Sequence, residues 1–71
     1  MKKMKLSEKV GINLKRYIKK SKYKTQEKFA TEGMNVDAVT VRRWISHGIR
    51  DINTIEEISK VLNIDMIDLF E

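Results

Sequence analysis

A chain of 71 residues, 41% hydrophobic and 35% charged, makes one small domain that buries only roughly 60% of its unfolded surface. With no cysteine and one histidine, His47, it has neither a disulfide framework nor enough nitrogen ligands for a zinc or iron site, and no apolar run approaches the ~18 residues of a membrane helix. The net charge of +5 is divided into +9 over residues 1–24, +1 over 25–50 and −5 over 51–71, which excludes an evenly balanced surface and gives one half suited to a polyanion.

The chain has no proline, no internal repeat and no low-complexity tract, and its apolar spacing is helical rather than alternating. Residues 1–6 read as a flexible basic N-terminus; no apolar stretch follows "MKKMKL", so it is not a secretory signal. A first helix is expected to be capped by Ser7, with Glu8 against the dipole, and to end near Ser21 or Lys22. Val10, Leu14, Tyr17 and Ile18 share its inner face, and Lys9, Arg16, Lys19 and Lys20 the outer one. Thr25 caps a short second helix, "QEKFATE", with Phe29 and Ala30 inward. Gly33 is expected to stop it in the left-handed conformation, and "GMNV" then turns Met34 and Val36 back to the core.

Asp37 caps a third helix, "AVTVRRWISH", and Gly48 ends it. Val41 with Trp44 or Ile45 makes its buried stripe, while Ala38, Val39, Arg42 and Arg43 face outward. Its β-branched residues lower its helix propensity, so packing must hold it. Asn53 with Glu56 reads as a capping box opening "TIEEISKVL", buried through Ile55, Ile58 and Leu62 and ended by Asn63. Asp65 caps a fifth short helix, "MIDLFE".

A short helix with a small Ala, a tight turn with a Gly, and a second helix apolar on one side with exposed Ala, Val and Arg on the other is what a helix-turn-helix needs. Over nearly its whole length the chain resembles the Cro/XRE family of lambda-repressor-like helix-turn-helix domains. "VGINLKRYIKK" resembles that family's first helix, "TQEKFA" its second-helix opening, "VTVRRW" its recognition helix and "TIEEISKVLNIDMIDLF" its closing helix with a short follower. The resemblance implies an all-α bundle of five short helices, with the recognition helix, about 38–47, in the major groove of double-stranded DNA. There are departures. One residue more than usual lies between Ala30 and Val36, so the turn "TEGMN" is expected to be lengthened. "ISHGIRD" lacks the family's frequent Glu after the Trp and its Pro before the last long helix. "TVRRWISHG" alone is also similar to MerR-type or phage excisionase proteins, but those continue into a β-wing, and here helical spacing follows.

The resemblance places Arg43 where a side chain enters the groove, to read guanine or to hold phosphate, and leaves Arg42 open between the two. Ala38 and Val39 stand at base-facing positions where they could only pack on thymine methyls. Gln26, at the first turn of the second helix, is expected at backbone phosphate; Thr40, His47 and Arg50 are expected phosphate contacts by position, with His47 alternatively a C-terminal helix residue favoured by the dipole. Trp44 reads as core rather than as a stacking platform. Glu56 and Glu57 are adjacent, so they point to different sides of a helix, and no nucleophile–base set or phosphate loop is present. The expectation is a cytoplasmic DNA-binding regulator, not an enzyme, with no cofactor and no membrane partner. The rivals are an excisionase-like architectural factor and a protein-interaction module of antitoxin or anti-repressor type. The last segment holds Met66, Ile67, Leu69 and Phe70, more apolar side chains than one short helix turns inward, so a weak homodimer or a partner protein is expected there.

Overall fold

The computed structural model describes residues 5–71, and every regular element among them is helical. The proposed N-terminal tail therefore lies outside the described residues at 1–4, while Leu6, its last member, is already helical. Helix α1 runs Leu6–Lys20. Its cap is Lys5 rather than Ser7, because the Glu8 carboxylate reaches back to accept the Lys5 backbone N–H at 3.0 Å. That satisfies an orphan donor two residues earlier than Ser7 would. Val10, Leu14 and Ile18 are fully buried and Tyr17 partly so. The helix stops where expected, with Ser21 extended and its N–H donating to the Ile18 carbonyl.

Helix α2, Gln26–Lys28, is one turn long. Thr25 caps it as expected, its Oγ1 accepting from the Lys28 N–H at 3.2 Å. The chain then continues into a π-helical segment, Phe29–Met34, without interruption. Gly33 does not stop it; Asn35 does, at φ 58° and ψ 46°. Gly33 serves a packing need instead: a Cβ there would lie 2.9 Å from Val61 Cγ1 and 3.2 Å from the Tyr23 ring. A π-turn takes one residue more than an α-turn, so the extra residue between Ala30 and Val36 is absorbed inside the helix instead of extending the turn. Phe29 and Ala30 remain buried, and Tyr23 meets Phe29 edge-on with ring centroids 5.7 Å apart.

Helix α3, Ala38–His47, begins after Asp37 and ends at Gly48 as expected, although the Asp37 side chain makes no capping bond. Only Val41 is fully buried; Trp44 and Ile45 are half-buried against the core. Ala38 is also half-buried there, contrary to its outward placement from sequence. Trp44→Ala is therefore expected to cost about 2–3 kcal/mol, short of the 3–5 typical of a fully buried Trp. The shift of a urea midpoint measures this.

Helix α4, Ile52–Leu62, is capped by Asp51 and not by Asn53. Asp51 accepts from the Asn53 N–H at 3.2 Å and from the Thr54 hydroxyl at 2.8 Å. Ile55 and Ile58 are buried, Leu62 is half-buried, and Asn63 ends the helix left-handed at φ 57°. The expected fifth α-helix is a single 3-10 turn, Met66–Leu69, following Asp65. Asp68 accepts the Asp65 N–H at 3.2 Å, and the turn closes with the Phe70 N–H donating to the Ile67 carbonyl at 2.9 Å. Among the described residues the architecture is thus four helices and a 3-10 turn around one core. Leu69 is buried and Met66 and Phe70 pack on the core, which leaves Ile67 alone exposed, at 69%.

Candidate nucleic-acid interface

The position of α3 is fixed at two glycines. Gly11 sits inside α1, where Gly costs about 1 kcal/mol relative to Ala, and it lets α3 cross in near-contact. A Cβ at Gly11 would stand 2.6 Å from the Trp44 carbonyl oxygen and 2.8 Å from that of Ile45. At the end of α3, Gly48 lies against the Ser7 backbone, and the Ile49 N–H donates to the Ser7 carbonyl at 3.2 Å. Ile49, only 5% exposed, anchors that corner in the core.

With α3 seated on Val41, a rotation of roughly 100° per residue distributes the rest of its side chains. Val39 and Arg43 are directed away from the core, and Val39 is 54% exposed. Arg42 takes one flank; Thr40 and His47 take the other. Arg42, Arg43 and His47 are all exposed.

The Arg42 flank opens onto a cleft of about 430 Å³ formed with α1 and the start of α2. Lys15 and Lys19, one turn apart on α1, line one wall. Lys24, held left-handed at φ 64°, and Gln26 line the other, with Ile18 at the base. One acid, Glu27, shares the lining with four cations. Two expected contact residues, Gln26 and Arg42, are therefore brought together by the fold, and three lysines that sequence reasoning left unassigned join them. The signal for Lys15 and Lys19 was their i, i+4 spacing on a helix. Lys24 gave none, since its place depends on a backbone angle.

Thr40 opens onto a second concavity with Thr31, Asn35, Val36 and Asp37. The Asp37 carboxylate there makes this flank less suited to a phosphate than the lysine-lined one. His47 stands exposed in the last turn of α3 and Arg50 is exposed in the following loop, neither lining the basic cleft. Ala38 is turned partly into the core. No described helix is long and apolar enough to cross a membrane. Among the described residues, no group of three His, Cys, Asp or Glu side chains could hold a metal ion. Neither a protein-family model, nor a curated protein, nor a solved structure matches this chain.

Proposed function

We propose that the protein binds double-stranded DNA sequence-specifically as a small transcriptional regulator and is not an enzyme. In this reading α2 with its π-helical continuation and α3 act as a helix-turn-helix of Cro/XRE type, with α3 in the major groove. The observation that carries the reading is the convergence of Lys15, Lys19, Lys24 and Arg42 with Gln26 on one cleft beside the outward ridge of Val39 and Arg43. A cleft with four cations suits the DNA backbone, and a phosphate seated there would present the ridge to base edges. Arg42 then holds phosphate, and Arg43 is the side chain free to reach guanine O6 and N7. Val39 offers only a methyl surface, suited to thymine. With so few hydrogen-bonding groups on the ridge, sequence-dependent DNA shape carries a large part of the selectivity. The acidic residues 51–71 would be repelled by the duplex and lie away from it.

Among the described residues no strand follows α3, which disfavours the winged, excisionase-like rival. The protein-interaction rival has no need of a lysine-lined cleft beside an arginine ridge.

Selection from random duplex DNA followed by gel shifts tests the reading. Arg43→Ala is expected to lose about 1–3 kcal/mol of discrimination at one base pair. Arg42→Ala should instead weaken all sequences alike and lower the salt slope by about 0.9, the share of one phosphate. Enrichment of no sequence, or binding indifferent to both arginines, would reject the proposal.

A further inference from the structure

The basic cleft holds more charge than a duplex delivers to it. Lys15, Lys19, Lys24 and Arg42 line it against Glu27 alone, so four cations less one acid leave +3. A phosphate of the DNA backbone brings a single negative charge, and the sugar holds its neighbours along the strand apart. All four cationic residues are exposed, and among the described residues none of their side chains donates a hydrogen bond to the protein. Lys24 reaches the cleft through an unfavourable backbone. It sits at φ 64°, and the Thr25 N–H donates across it to the Tyr23 carbonyl at 2.7 Å, a conformation that residues with a Cβ adopt rarely. The charges come from three segments: α1, the link before α2, and α3. The volume they line, about 430 Å³, falls within the roughly 300–1,000 Å³ of small-molecule sites.

We infer that the cleft also takes a free condensed phosphate chain, two or three phosphates long, and, resting on the DNA-binding reading, that this chain displaces the duplex. Such a chain carries one charge on each inner phosphate and about two on each end. Its phosphates share bridging oxygens, so its charge is packed more closely than that of a DNA strand and matches the concentrated +3. The three lysines act as point charges that accept any orientation of the chain, and the Arg42 fork can hold one phosphate through two hydrogen bonds. Gln26 adds an amide donor. The Thr25 hydroxyl accepts from the Lys28 N–H and keeps its own proton to donate. No aromatic side chain lines the cleft, so it offers a nucleobase no stacking platform, and the ligand is held by its phosphates alone. With Arg42 engaged in this way, a backbone phosphate loses its seat beside the Val39 and Arg43 ridge. DNA binding then falls as the free oligophosphate rises.

Calorimetric titration of tripolyphosphate into the protein alone, at roughly 0.15 M salt and without divalent cations, tests the cleft ligand apart from DNA. One tripolyphosphate is expected per chain, bound at least about tenfold more tightly than sulfate. Lys15→Gln/Lys19→Gln should weaken it about tenfold or more. Lys9→Gln/Lys20→Gln removes the same charge from α1 outside the cleft lining and should change it by no more than about twofold. Circular dichroism melts check that both variants fold. Adenosine triphosphate, with the same three phosphates, should bind no more tightly than tripolyphosphate. Sulfate as tight as tripolyphosphate, several ions per chain, equal losses in the two double variants, or tighter binding of adenosine triphosphate would each overturn the inference. In gel shifts, tripolyphosphate should release the selected duplex at concentrations that fill the cleft; a protein that holds both together would overturn the displacement. A chain that takes tripolyphosphate but selects no duplex refutes the DNA-binding reading and the displacement with it. One that selects a duplex but takes no tripolyphosphate overturns the cleft ligand alone.

Discussion

Gly48→Ala is expected to unfold the protein at ambient temperature or come close to it. Gly48 stands at φ 88° and ψ 176°, a region open essentially to glycine alone, and holding another residue there costs about 1–3 kcal/mol. The new methyl has no space either. It would collide with the Ser7 carbonyl and lie 2.9 Å from the Glu8 nitrogen, both of them backbone and unable to swing aside. Relief requires separating the end of α3 from the start of α1, which sacrifices the Ile49 to Ser7 hydrogen bond and loosens buried Ile49. The total is at least about 3 kcal/mol, in a domain whose whole stability is about 4–10 kcal/mol by size. Gly48→Asn is expected to do no better, because the tolerance of Asn for positive φ holds at ψ near 46°, as at Asn35 and Asn63, and not at ψ 176°. Thermal melts should show both variants crippled; a Gly48→Ala protein that melts like wild type would contradict the close approach described.

Phe29→Ala is the second severe change expected. Phe29 is wholly buried at the start of the π-helical segment and is among the largest side chains of the core. Truncating a buried Phe costs about 3–5 kcal/mol, and the edge-on Tyr23 pair adds to the loss. The effect should reach the candidate interface, because the Tyr23 link leads directly to Lys24 and Gln26. Urea titration followed by Trp44 fluorescence measures it. Phe29→Leu, which keeps most of the volume, should recover the larger part of the stability but not the ring contact. A Phe29→Ala midpoint within a few tenths of a kcal/mol of wild type would contradict the packing described.

What was legible in the sequence was what local chemistry decides. Thr25 caps α2 and Asn63 ends α4 in the left-handed conformation because each choice depends only on neighbouring backbone. The arginines of α3 could be placed outward because Val41 fixes the helix phase. Where two adjacent candidates competed, distance decided. Asp51 reaches both Asn53 N–H and Thr54, so it takes the cap from Asn53. Asn35 takes the helix stop from Gly33, since Gly33 is needed where Val61 and Tyr23 press close. The π-turn was invisible as such: one surplus residue can lengthen either a loop or a helix, and helical packing of Phe29 and Ala30 at one end with Met34 and Val36 at the other favours the helix. Ala38 was misplaced because its small side chain fits at the edge of the core as readily as outside it. The basic cleft was only half legible, since Gln26 and Arg42 could be named from their helices but their meeting with Lys15, Lys19 and Lys24 depends on how three segments pack.

The hydrogen bond from Asn13 to Leu69 spans 56 positions of the chain, and this sets an order on folding. Helices of this kind form in about a microsecond and small helical bundles close in micro- to milliseconds, while synthesis proceeds at about 5–20 residues per second. α1 is therefore made seconds before the turn that completes its inner face. During that interval the Asn13 amide lacks its carbonyl and the core lacks Leu69. Residues 1–50 are then strongly cationic, because the acids that moderate their charge follow at 51–71. The interval in which α1 lacks its closing contact is thus set by the speed of translation, and it ends when Leu69 reaches Asn13.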